Sequence, residues 1–351
     1  MKQIKISIAA IAMMFATVGV AQESKTVFSG NADFYYRFNF ANAGDAGVTN
    51  NLTSFTNSQD SFELGMASIK ASHKEGKASV FADLGFGNRA KEFTYNDSAN
   101  QFMIKQLNMT YDLSDKFKIT AGAFATHLGF ELVDAVDNKN YSMSYAFTNG
   151  PFFNTGVKAQ YTSGKFSIMA GITNPTDFKS AVSSATSSNQ KTVIAQLGYT
   201  ADSGSAFLNF TKGSNNPLLI NNQQIDLVAT KKLSDKFTLG FNGTFATVSS
   251  DVSGTNDANW FAAILYAQVG LSKDSSLAYR LEYFSDKEGV KLPAPDTNII
   301  ANTLSFNIKE GRFTFIPEVR FDLASQEIFK KNATDPSKSA ASILFATTYS
   351  F

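Results

Sequence analysis

The chain has 351 residues, no cysteine, two histidines, 31 Lys plus Arg against 30 Asp plus Glu, and 33 Phe and 12 Tyr beside one Trp. The missing cysteines exclude a disulfide framework and any thiolate metal centre, and the even charge balance excludes the basic field that a nucleic-acid partner requires. So aromatic a chain with so balanced a charge is apolar by alternation rather than by blocks.

Lys2 and Lys5 precede an apolar run, Ile6 to Ala21, that closes on Gly19-Val20-Ala21 before Gln22. A charged start, an apolar middle and small residues at the end predict a cleavable secretory signal over residues 1–21. The run is short for a membrane anchor, and no later segment approaches eighteen uninterrupted apolar residues. The expected mature chain, 22–351, is a single domain with a net charge of about −1.

From Val27 to Phe40 the apolar set Phe28, Gly30, Ala32, Phe34, Tyr36, Phe38 and Phe40 alternates with Ser29, Asn31, Asp33, Tyr35, Arg37 and Asn39. A period of two places the sets on opposite faces of a strand. The pattern recurs at Ala78–Phe86, Phe237–Phe245 and Phe313–Phe321, where Pro317 predicts a bulge or a local loss of pairing. About sixteen such segments follow one another. Their connections alternate between short turns (73–77, 114–116, 162–165, 201–204, 234–236, 272–275, 309–312) and long loops (41–61, 88–101, 127–153, 174–190, 214–221, 249–257, 286–296, 323–339). Short turns at one end and long loops at the other predict a transmembrane antiparallel up-and-down β-barrel, with the turns periplasmic and the loops extracellular. Tyr111, Phe117, Tyr161, Phe166, Tyr199, Phe237, Phe313 and Phe351 lie near the turn ends on the apolar face, where an aromatic belt belongs.

The last strand alternates Ile343, Phe345, Thr347, Tyr349 and Phe351 with Ser342, Leu344, Ala346, Thr348 and Ser350. A closing barrel strand that ends in an aromatic girdle has this form. Tyr349 and Phe351 are the expected signal for the barrel-insertion machinery.

Barrels of about sixteen strands enclose a water-filled lumen, whereas eight-stranded ones fill with side chains. The alternation assigns Asp33, Arg37, Asp83, Lys158, Asp226, Lys232, Arg280, Glu282, Glu318 and Arg320 to that lumen. Mixed signs on opposite walls would set up a transverse field that sorts polar solutes by charge and size. The third long loop holds Glu131, Asp134, Asp137 and Lys139 with Phe130, Tyr141, Tyr145 and Phe147, and its apolar anchors predict an inward fold with the charged residues at the constriction. The expected function is a diffusion channel for small polar solutes or ions, with outer-membrane lipid around it, no cofactor, no metal and no catalytic residue. Assembly into a homo-oligomer stays open.

Within this stretch Gly122-Ala123-Phe124, Gly129-Phe130-Glu131, Val133-Asp134, Asn138, Tyr141-Ser142, Gly150-Pro151-Phe152 and Thr155-Gly156-Val157 resemble the central segment of the β-barrel porin-2 (OmpL-like) family. The resemblance implies an outer-membrane porin; Met143 and Asn154 depart from the basic residue and the histidine that the family pattern carries. Two other classes compete. A non-conducting barrel that anchors a larger outer-membrane assembly needs a lumen closed by its own loops. A barrel hydrolase needs a serine, a base and an orienting group in mutual reach, for which His127 with Ser142 or Ser144 is the pairing to inspect.

Overall fold

The computed structural model describes residues 24–41, 49–97, 103–180, 190–214, 220–250, 257–332 and 334–351, so the expected signal lies outside the described residues. Sixteen strands close into one antiparallel barrel. They are β1 (Lys25–Asn39), β2 (Ser61–Glu75), β3 (Ala78–Phe86), β4 (Ile104–Ser114), β5 (Phe117–Ala125), β6 (Phe153–Ser163), β7 (Phe166–Thr173) and β8 (Thr192–Ala201). The second half holds β9 (Gly204–Ser214), β10 (Ile220–Lys232), β11 (Phe237–Ser250), β12 (Ala258–Gly270), β13 (Ser275–Asp286), β14 (Thr297–Glu310), β15 (Phe313–Ala324) and β18 (Ser339–Ser350). A two-stranded hairpin, β16 (Phe329–Lys331) and β17 (Asp335–Ser337), occupies the last long loop. Each barrel strand pairs with its neighbours in chain order, and β18 closes on β1.

Side-chain exposure follows the period of two. On β1 Asn31, Asp33, Tyr35, Arg37 and Asn39 are buried inside while Phe28 and Phe34 stand outside. Phe28, Phe62, Leu64, Met109, Phe166 and Leu265 each leave more than half of their surface uncovered on the outer face. Water would penalise an apolar band of that extent, and a bilayer accepts it. The eight aromatics of the expected belt all face outward near the short turns, the least exposed of them, Phe117 and Phe237, being half-buried.

The two Leu-Ser-Asp-Lys-Phe turns share one chemistry. Ser114 Oγ accepts from the backbone N–H groups of Lys116 and Phe117, and Ser234 Oγ does the same for Lys236 and Phe237. At Pro317 the pairing of β15 with β14 lapses between Glu318–Ser305 and Phe315–Ile308, as a residue without an N–H demands. The barrel seam is closed by Phe351, whose backbone exchanges hydrogen bonds with Gly30 in both directions. A Cβ at residue 30 would meet the Phe351 ring at 2.4 Å, so only glycine lets the terminal aromatic lie across β1.

Two irregularities re-aim side chains. Residues Asp83 and Leu84 of β3 pair with Gln106 and Ile104, leaving Lys105 as the extra residue of a β-bulge. Lys105 is thereby turned into the lumen, fully buried. Between Ala32 and Phe34 the register with β2 also shifts, and the N–H of Met66 donates to Asp33 Oδ1 at 3.1 Å.

The alternating connections carry a topological expectation. A protease site inserted between Lys331 and Asn332, at the tip of the β16–β17 hairpin, is cut when protease is added to intact cells, and the same site in the Ser234–Lys236 turn is not. Cutting at the turn alone would invert the barrel.

Candidate pore constriction

The loop between β5 and β6, residues 126–152 (hereafter L3), does not stay above the rim. It crosses the lumen and is tied to the wall by acceptors that the strands present to its backbone N–H groups. Asp226 on β10 accepts from Gly129 N at 3.0 Å. Glu318 on β15 accepts from Tyr141 N at 2.7 Å and Ser142 N at 3.2 Å. Glu282 on β13 accepts from Tyr145 N and Ala146 N at 2.9 and 2.8 Å, where α2 (Tyr145–Asn149) begins. Anionic acceptors at the first turn of a helix meet N–H groups that have no partner within it.

In return, L3 sends carboxylates to cations of the wall. Glu131 pairs with Arg280 at 2.5 Å, and the same guanidinium donates to the Ser142 carbonyl. Asp134 takes Lys70 of β2 at 2.5 Å together with the bulged Lys105, which also holds Asp83 at 3.0 Å. Burial alone would raise the Asp134 carboxyl, but the Lys105 and Lys70 ammoniums outweigh it and hold it below the ordinary value. Arg320 grips Asp322 and donates to the Met143 carbonyl at 2.7 Å. Tyr141 OH reaches Asp33 at 2.5 Å beside Arg89 of α1 (Asn88–Phe93), and Tyr145 OH reaches Asp322 at 2.8 Å.

Apolar contacts complete the attachment. Phe130 stacks on Tyr266 of β12 at 4.1 Å between centroids, directly over Gly240, where a Cβ would meet its ring at 2.7 Å. Tyr145 and Ala146 pack with Trp260, Ile264, Phe284 and Ile299 on β12 to β14. Phe147 and Met143 join Phe55, Phe93, Phe152 and Phe153.

Of the residues assigned to the lumen by alternation, Asp33, Arg37, Asp83, Asp226, Arg280, Glu282, Glu318 and Arg320 are buried inside the barrel. Arg37 donates to the carbonyls of Thr49 and Ser58 in the first long loop. Lys158 is half-buried, its ammonium 4.1 Å from the centre of the Phe124 ring. Lys232 lies at the turn end instead, exposed and paired with Asp235. The wall cations Lys70, Lys105, Arg280 and Arg320 meet carboxylates, and Asp226, Glu282 and Glu318 accept N–H groups of L3. Among the four constriction candidates, Glu131 and Asp134 are buried in ion pairs, whereas Asp137 and Lys139 are exposed and line an open cavity with Asn138, Asn140 and Gln268. Sequence reasoning missed Lys70, Lys105 and Arg89. Lys70 was legible as the residue two beyond Ser68 on the polar face of β2; Lys105 was hidden by the bulge, and Arg89 by its place in a loop.

The hydrolase constellation does not assemble. His127 Nε2 contacts the Phe210 carbonyl at 3.0 Å, and burial pulls its imidazole down to about 4. Ser144 Oγ instead donates to Glu131, and Ser142 Oγ accepts from Arg280.

The model of the family described as "Putative beta-barrel porin-2, OmpL-like" matches residues 25–351. No curated protein matches the sequence. Among solved structures, an anion-selective porin from Comamonas acidovorans is similar with a TM-score of 0.63 at 12% identity, over 94% of this chain and 100% of that one. In-vitro folded OmpT, an outer membrane protein of Vibrio cholerae in its trimer form, gives 0.61 at 11% identity over 94% and 100%. The outer membrane channel DcaP of Acinetobacter baumannii gives 0.56 at 10% identity over 93% and 97%. At such identities the likeness is one of fold.

The anchoring of α2 has a measurable consequence. Glu282→Ala leaves two buried N–H groups without an acceptor, at a cost of roughly 1–3 kcal/mol each. Hydrogen exchange at Tyr145 and Ala146 accelerates, and the temperature at which the barrel loses its folded gel mobility falls by several degrees. Unchanged exchange would mean that α2 is held by its apolar contacts alone.

Proposed function

The chain belongs to this β-barrel porin family and is an outer-membrane porin, and from that premise we propose that L3 is its constriction, with Asp137 and Lys139 the charges that passing solutes meet. The observation that carries the reading is the double attachment of L3, by backbone N–H groups to Asp226, Glu282 and Glu318 and by Glu131 and Asp134 to Arg280, Lys70 and Lys105. A loop so held narrows the lumen permanently. The small polar solutes or ions that pass do so by diffusion through what remains, sorted by size and by the few charges left without a partner.

Glu131 and Asp134 act here as anchors rather than as selectivity charges, because a carboxylate neutralised by a buried cation exerts little field at a distance. Asp137→Lys shifts the reversal potential under a salt gradient toward anions. Replacing residues 133–145 by a short Gly-Ser linker raises single-channel conductance several-fold. If neither changes, L3 is not the constriction. A wild-type protein that forms no channel in a planar bilayer would instead favour the non-conducting anchor of a larger assembly.

Export through a cleaved signal over residues 1–21 and recognition of Tyr349 and Phe351 by the insertion machinery complete the reading. Support for the second comes from the seam, where Tyr349 packs on Phe313 at 4.7 Å and Phe351 lies over Gly30. Deleting Phe351 lowers the amount of folded barrel in the outer membrane while export from the cytoplasm continues; an undiminished yield would make the terminal residue dispensable.

A further inference from the structure

On the short-turn side of L3 two open cavities adjoin the lumen wall, one lined by Lys118, Gln160 and Thr162 and the other by Lys139, Lys309 and Thr314. Much of the charge in this vestibule cancels. Lys74 pairs with Asp112 and Lys232 with Asp235, both at 2.8 Å, and Lys273 lies 3.6 Å from Asp274. Nearer L3, Lys70 and Lys105 are held by Asp134 and Asp83.

Four lysines are left over. Lys118 continues the inner face of β5 that holds buried Thr120, with Ile119 outside; Lys158 continues the inner face of β6 below Asn154, with Val157 outside. Lys309 follows Ser305 and Asn307 on the inner face of β14, with Ile308 outside, and Lys139 belongs to L3. None of the four makes an ion pair among the described residues. Asp112 lies opposite Lys118 in register but is taken by Lys74. Lys118 and Lys158 are themselves diagonal neighbours, since Lys118 opposes Gln160 and Thr120 opposes Lys158. Like charges so placed repel across a sheet, unless solvent or a counterion lies between them.

The acids do not make up the difference. Asp137 of L3 is exposed and has no ion pair among the described residues, and Asp115 borders the first cavity only at the turn tip, next to Lys116. At mid-height Asp226, Glu282 and Glu318 are buried and turned to N–H groups of L3. Charges facing water between low-dielectric walls focus their field into the space between them and raise the local concentration of the opposite ion. A lysine ammonium is a hydrated point charge on a flexible stem, without the rigid fork by which a guanidinium clamps an anion. Conduction requires that kind of attraction, strong enough to admit an ion and weak enough to release it.

We propose that this vestibule makes the channel prefer small anions, inorganic ones and short carboxylates, with Lys118, Lys158 and Lys309 on the wall and Lys139 on L3 concentrating them below the constriction. The proposal rests on the porin reading, to which it adds the class of solute.

The full-length barrel is inserted into a planar bilayer and its reversal potential measured under a KCl gradient. Wild type passes chloride several-fold better than potassium, and acetate in place of chloride is also preferred to potassium. The preference shrinks as the salt is raised from about 0.1 M to about 1 M, where the screening length falls from about 10 Å to about 3 Å. The Lys118→Gln, Lys158→Gln, Lys309→Gln triple variant, checked for folded gel mobility, still conducts and loses most of the preference. Lys91→Gln, Lys191→Gln, Lys287→Gln, which removes three exposed lysines at the loop end, keeps it. Should the first triple variant fail to fold, Lys118→Glu is read in its place, with a smaller shift in the same direction. A wild type that conducts without preference or prefers potassium, an undiminished preference in the folded vestibule variants, or an equal loss in the loop-end variant overturns the proposal and leaves the pore standing. A barrel that forms no channel removes the porin reading and the proposal with it.

Discussion

The internal architecture depends on one exchange: strand carboxylates accept the backbone hydrogen bonds of a loop, and the loop's own carboxylates neutralise strand cations. Inside a barrel away from bulk water, an unpaired peptide N–H or an isolated charge is costly. Asp226, Glu282 and Glu318 satisfy the first kind of group, and Arg280, Lys70 and Lys105 the second. Removing one partner strands the other, which makes the arrangement an all-or-nothing one. L3 is therefore part of the folded barrel rather than an appendage to it.

This exchange explains why the lumen wall is not uniformly polar. On β12 the inward residues Ala258, Trp260, Ala262, Ile264 and Tyr266 are buried, and the outward ones, Phe261 and Leu265 among them, face lipid. A strand apolar on both faces has apolar material on both sides. Here it is the bilayer outside and L3 inside. Leu344, Ala346 and Ile316 repeat the situation beneath Tyr141 and Ala135. Elsewhere, as on β9 and β10, the inward residues Asn209, Thr211, Gln224 and Asp226 are polar, and an open cavity adjoins Thr211 and Gln224.

The position of the surviving space follows from the same asymmetry. L3 is tied mainly to β1, β2, β4 and β10 to β15, and the cavities flank it, one toward the long loops and one toward the short turns. Phe130 on Tyr266 stands at the wall beside the second of these, where Gly240 makes room for the ring.

The period of two, the alternation of short and long connections and the serine-based turns are local properties, and they determined from the sequence alone that this chain closes as a sixteen-stranded barrel with Asp33, Arg280, Glu282 and Glu318 inside. Which of those charges remain available was decided only by the tertiary structure, because pairing depends on where a loop of 27 residues lies among sixteen strands. Periodicity carries no information about that. It also fails at a bulge, where one extra residue reverses the face, so Lys105 was invisible until β3 and β4 were seen in register. Glu131 and Asp134 were legible as charged residues of an inward loop, and their ion pairs with Arg280, Lys70 and Lys105 required strands far away in the chain.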